Sequence, residues 1–232
     1  MKRQVPAGEW ELICSGEVFA RLRKDEEFAF LLTLSRVLNA LKFGVETHRA
    51  GGTERTPVAE RRRVGAFLYL ASALHETLQL KKAAESKWGK LPVFVEVFEA
   101  FDEEKLDAET IRLLNRIRNR ASFHFDPTVA GRALSELPDE PFAFLTATGR
   151  DTMNSNYELA DLITFGFVFE ATGNVEKLAA SLTTFRPILD SLLGTFISKS
   201  DRILVRRLLA LGFEIVDRPE GSFHSDREPE QS

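Results

Sequence analysis

Cysteine is nearly absent: Cys14 is the one thiol in 232 residues, so an intrachain disulfide is excluded. The opening residues carry no signal-peptide pattern, and the two features together make the reducing cytoplasm the expected location. Cys14 is expected to be a small buried side chain rather than a reactive thiol. Long apolar runs are missing too. The longest without a charge, residues 64–74, falls well short of the ~20 residues a helix needs to cross a bilayer, so no membrane association is expected. Positive charge is not in excess: 35 acidic residues against 31 basic give a formal charge of −4, so any nucleic-acid contact must use a local basic patch. Polar aromatics are scarce, with two Tyr and two Trp against 19 Phe, which marks most of the rings as core rather than as stacking platforms. Only four histidines occur, without a Cys/His cluster, and His75 lacks the second His of a zinc-binding helix. Neither a P-loop, a strand-associated G-x-G-x-x-G nor a nucleophile elbow is present, so no metal or cofactor is expected.

What remains is a globular composition, 44% hydrophobic and 28% charged, on a chain long enough to bury a substantial core. Apolar spacing predicts a helix over 26–43, with Phe28, Leu31, Leu32, Val37, Leu38 and Leu41 near helical period. A Gly/Thr-rich loop is expected over 44–57, then a long helix over 58–86 opened by Pro57. Residues 92–101 read as a helix, with a strand left open because period alone does not separate the two. The next helix starts at Asp107, a good N-cap, and runs to His124, since Pro127 disfavours helical geometry at Asp126. A short helix over 129–137, a strand over 142–148, a loop through Asn156 and a helix over 159–171 follow. Pro187 predicts a kink or break in a helix over 175–197, and Ser200 reads as the N-cap of a separate last helix ending before Gly212. Residues 218–232 are polar and expected to be disordered. The expected fold is mainly all-α, a helical bundle with a small strand near 142–148. One helical domain is expected over 1–217, its core about 26–126 and its C-terminal helices about 157–217.

The segment with the most chemistry is IRLLNRIRNRASFHFD, residues 111–126. Leu106, Thr110, Leu113, Leu114, Ile117 and Ala121 form one apolar stripe at 100° per residue, with Arg112, Arg116 and Arg120 opposite on what reads as a solvated basic face. Arg118 and His124 fall on the two margins of that stripe. Within one straight helix they would not face each other, so a shared site needs a bend near Phe123 or a second subunit. A second Arg-to-His spacing, Arg218 to His224, lies in the expected tail.

Arg118-Asn119 followed by His124 resembles the motif of the HEPN superfamily, helical domains that carry an Arg, often with Asn or another polar residue after it, and a His after four to six intervening positions. The abortive-infection-like branch is the nearest in flavour. The resemblance covers the helical pair within 58–126 best, and its specific part is about seven residues. It implies a HEPN-like bundle acting as a metal-independent endoribonuclease, with a role in stress or phage defence. The site it implies consists of Arg118, Asn119 and His124, with RNA or a nucleotide as ligand. It also implies a homodimer, with an antitoxin or other protein as a further partner. In such an enzyme the ribose 2′-hydroxyl attacks the adjacent phosphorus, a guanidinium offsets the charge, and an imidazole of near-neutral pKa passes protons.

Two other readings stay open: a catalytically silent HEPN-type domain that binds nucleotide, RNA or a protein, and a helical protein in which Arg118 merely pairs with a carboxylate. Glu76 is placed to hydrogen-bond Arg118 or Arg120 from the neighbouring helix, either as support for the site or as a structural ion pair. Arg202, Arg206 and Arg207 form a basic strip that reads as a solvated face.

Overall fold

The computed structural model describes residues 10–103, 106–122, 137, 146–147 and 155–217. Seven α-helices occur among the described residues: α1 (Gly16–Leu22), α2 (Glu26–Ala50), α3 (Pro57–Trp88), α4 (Pro92–Glu103), α5 (Ala108–Ile117), α6 (Glu158–Val168) and α7 (Val175–Ala210). Four short strands accompany them: β1 (Trp10–Ile13), β2 (Thr146–Ala147), β3 (Ser155–Asn156) and β4 (Glu214–Asp217). The fold is mainly all-α.

The helix starts follow local capping chemistry. The side chains of Asp25, Thr56 and Asp107 accept from the backbone N–H groups of Phe28, Ala59 and Thr110, satisfying donors that have no partner inside the helix. Pro57 opens α3, where its missing N–H costs nothing. Phenylalanine builds the centre, as the shortage of polar aromatics implied. Phe30 of α2 lies 5.6 Å from the ring of Trp88 and 5.4 Å from that of Phe94. Phe67 of α3 meets Phe165 at 5.7 Å and Phe185 at 5.8 Å, so one apolar core includes residues from α2 through α7.

Several expected boundaries are corrected. The loop expected from residue 44 is helical as far as Ala50, and only 51–56 connect α2 to α3. Gly44 is a packing residue, not a breaker: a Cβ there would stand 2.6 Å from Cδ2 of Leu70, so α3 packs closely onto α2 where a side chain is missing. By length and composition α2 is also apolar enough to cross a membrane, which the uncharged-run criterion passes over. Its Phe30, Leu31, Leu34, Leu38 and Leu41 are buried in the core.

Of the kink or break expected at Pro187, a break is not observed, and neither is the separate helix expected from Ser200: α7 runs unbroken through both. Phe185, Leu189, Leu192, Phe196, Ser200 and Ile203 are all buried at helical spacing and hold both halves on one face. Pro187 lies on the exposed side, where the carbonyl it leaves without a donor can be solvated. Helix α6 stops at Val168 rather than 171, because Glu170 takes a left-handed conformation (φ 53°).

Strand is also found outside the small component expected near 142–148: β1 pairs antiparallel with β4, Trp10 opposite Asp217 and Ile13 opposite Glu214. Of the strand expected over 142–148, Thr146 and Ala147 are seen, paired with Asn156 and Ser155 in what read as a loop. Cys14 is partly rather than fully buried. The helix expected over 129–137 lies outside the described residues except for position 137, and so does the tail from 218.

Candidate functional site

The site is built where α5 meets α3. Leu114, Ile117 and Ala121 are buried against the core, which fixes the face that α5 presents. Immediately after Ile117 the winding loosens, and residues Arg118–Ser122 form a π-helical turn. Such turns insert extra chain into a helix and recur at functional sites. The angular argument that set Arg118 apart from His124 assumed a straight α-helix, so it stops applying at Arg118, and with it the geometric need for a second subunit. His124 itself lies outside the described residues.

Arg118 is held by two neighbours. Its Nε donates to Oε1 of Glu76 on α3 at 2.6 Å, and its Nη1 donates to Oδ1 of Asn119 at 2.7 Å. Asn119 in turn donates from Nδ2 to Oδ1 of Asn115, one turn earlier. The guanidinium is therefore oriented from both sides, while Nη2 has no partner among the described residues. The Arg118 and Glu76 side chains keep 33% and 50% of their exposure. An ion pair this open is screened and contributes only about 0.2–1 kcal/mol to stability. An anion from solution can therefore compete for it.

Behind the pair sits His75, buried on the inner side of α3. Its Nε2 lies 3.2 Å from Nε2 of Gln79, and its Nδ1 lies 3.9 Å from Oε1 of Glu76, too far for a hydrogen bond. Nδ1 has no hydrogen-bond partner. Burial lowers the imidazole pKa from its ordinary value; Arg118 and Lys82 push the same way and Glu76 opposes them, so the ring is neutral at pH 7.

No protein-family model matches this chain, and neither a curated protein nor a solved structure matches it. The HEPN resemblance thus rests on Arg118, Asn119 and His124 and on what surrounds them.

Of the five residues singled out in the sequence, the structure brings Arg118, Asn119 and Glu76 together. Arg120 is exposed on the π-helical turn. The basic face expected opposite the apolar stripe is only partly solvated. Arg116 donates from Nη1 to the carbonyl of Val168 at 2.7 Å and pairs with Glu170 at 2.5 Å, closing the end of α6. Of the solvated strip expected on α7, Arg202 and Arg206 are exposed, Arg206 pairing with Glu96 at the surface, while Arg207 is half-buried against Glu27. Sequence reasoning missed His75, Asn115 and Gln79 as neighbours of the site. The i, i+4 spacings Asn115–Asn119 and His75–Gln79 were the available signal.

Proposed function

We propose that this protein is a HEPN-type domain that acts on RNA and cuts it without a metal. The observation that carries the reading is the orientation of Arg118, held through Nε and Nη1 at a half-open seam with Nη2 uncommitted among the described residues. A guanidinium held in this way presents Nη2 to a phosphodiester, and release of Nε from Glu76 opens the Nε/Nη2 edge to bidentate contact. In the proposed reaction the ribose 2′-hydroxyl attacks phosphorus, the bond to the 5′-oxygen breaks, and Arg118 offsets the charge on the non-bridging oxygens. His124 passes the proton, as base for the attacking hydroxyl or acid for the leaving oxygen. Asn119 keeps the guanidinium in plane. The product is a 2′,3′-cyclic phosphate. By the same resemblance the protein works as a homodimer in stress or phage defence, with an antitoxin or other protein as a further partner.

Glu76 favours a second reading. It already neutralises Arg118, which suits a silent HEPN-type domain that holds RNA, a nucleotide or a protein partner and releases it uncut.

Cleavage of single-stranded RNAs in EDTA separates the two. The nuclease reading expects cyclic-phosphate ends, a loss of about a hundred-fold or more in rate for His124→Ala, and a comparable failure of Arg118→Lys. Binding without cleavage selects the silent domain. Cleavage that is unchanged in both variants rules out this mechanism.

A further inference from the structure

Glu76 faces two donors but satisfies one. Arg118 Nε takes Oε1 at 2.6 Å, and the same oxygen lies 3.9 Å from Nδ1 of His75. The protonation of that ring follows from its other nitrogen. With the amide nitrogen of Gln79 as the donor, His75 Nε2 accepts and the ring proton falls on Nδ1. His75 therefore presents a buried N–H, with no acceptor, toward the carboxylate already engaged by Arg118. An unmade bond of this kind is costly in a protein interior.

We propose that His75 is a positioning residue that receives Glu76 when Arg118 turns to bind RNA phosphate. This inference rests on the reading of Arg118 as an RNA-phosphate ligand. In the free protein Glu76 holds the guanidinium and leaves the imidazole N–H unpaired. A phosphate that captures Arg118 releases the carboxylate, and a movement of about 1 Å brings it to the usual distance of a charge-assisted bond from Nδ1–H. The satisfied His75–Glu76 pair replaces the lost Arg118–Glu76 pair, so engagement of the phosphate does not strand a carboxylate. The neutral state of the ring fits this part, because an imidazolium would bind Glu76 permanently and release Arg118 in the absence of ligand.

The test uses the full chain and a single-stranded RNA 2′-O-methylated throughout, which binds but cannot be cut by its own hydroxyl. Nitrogen NMR of ring-labelled histidine reads the His75 tautomer, and RNA titration gives the affinity of wild type, Arg118→Ala, His75→Phe and His75→Asn. The Asn amide nitrogen superposes on Nδ1 and keeps the donor, whereas Phe keeps the volume and loses it. The expected results are an Nδ1–H tautomer, a shift of that resonance on RNA binding, an affinity about tenfold weaker in His75→Phe, and recovery to within about twofold of wild type in His75→Asn. A purely structural role for His75 would not move the Nδ1 signal with RNA. RNA binding lost in Arg118→Ala but unchanged in His75→Phe, or an Nδ1 signal indifferent to bound RNA, overturns the role of His75 and leaves the Arg118 reading standing. Wild type that fails to bind, or Arg118→Ala that binds as well as wild type, overturns both. If His75→Phe does not fold, the wild-type Nδ1 signal with and without RNA decides alone.

Discussion

Replacing Ser200 with Ala gives opposite signs under the two architectures that α7 might have had. If Ser200 were the N-cap of a separate last helix, its hydroxyl would satisfy an orphan N–H and the substitution would cost about 1 kcal/mol. In the structure Ser200 is in mid-helix and 0% exposed, and its Oγ has no hydrogen-bond partner. A buried polar group left unpaired costs about 1–3 kcal/mol, and Ala adds up to ~0.5 kcal/mol in helix propensity. The loss of a few packing contacts from one oxygen offsets part of this. The net expectation is a gain of about 1 kcal/mol, seen as a rise of roughly 2–4 °C in melting temperature for a chain of this size. Ser72, also 0% exposed with an unpartnered hydroxyl inside α3, is the internal control, and Ser72→Ala should shift the same way. Urea and thermal unfolding followed by far-UV circular dichroism provide the measurement. A lower urea midpoint for Ser200→Ala, with Ser72→Ala raised, would refute the continuous helix.

Glu76→Gln should change stability by under about 1 kcal/mol, since the pair is half exposed. It should also tighten binding of the methylated RNA about fivefold, because one carboxylate charge near the phosphate is removed; weaker binding in a titration would contradict the placement of Arg118. The lowered His75 pKa means that the unfolded chain takes up a proton first as pH falls below its ordinary value of 6.5. The contribution from His75 is thus complete above 6.5 and declines as pH falls from there toward the lower folded value. Melting temperature measured between pH 7 and pH 5 should fall more steeply in wild type than in His75→Asn, and parallel slopes would show that the ring is not kept neutral by the fold. Gly194 sits in α7 with nothing within 4 Å of an added Cβ, so Gly194→Ala should stabilise by about 0.5–1 kcal/mol. Gly44→Val should cost about 1–3 kcal/mol by overpacking Leu70, and equal effects of the two substitutions in urea melts would remove the close approach of α2 and α3.

Local chemistry was legible wherever it acts within a few residues. The cap at Asp107, the entry of Pro57 and the apolar period of 26–43 each reappear as a helix start or a core face. The loop expected from Gly44 and a break at Pro187 do not occur, because each residue carries a breaker's propensity worth a few kcal/mol at most, while its consequence depends on which face it occupies. Pro187 faces solvent and Gly44 faces Leu70, and neither fact is local. The residues 185, 189, 192, 196, 200 and 203 do keep helical spacing across the proline, so the continuity of α7 was present in the sequence but was outweighed by local signals.

The sequence by itself determined the all-α character, the phenylalanine core and the Arg118–Asn119 neighbourhood, because helix period, composition and adjacency are properties of short stretches of chain. Tertiary structure alone decided that β1 pairs with β4 across some 200 residues, and that Arg116 and Arg207 clamp distant elements rather than coat a solvated face. It also decided that Glu76, not Glu170 or Glu96, holds Arg118, and that His75 lies behind that pair with an unpaired nitrogen. Any arginine can pair with any carboxylate in sequence terms. The choice is made by which helix faces pack, and that is set by the summed burial of many side chains rather than by the charges themselves.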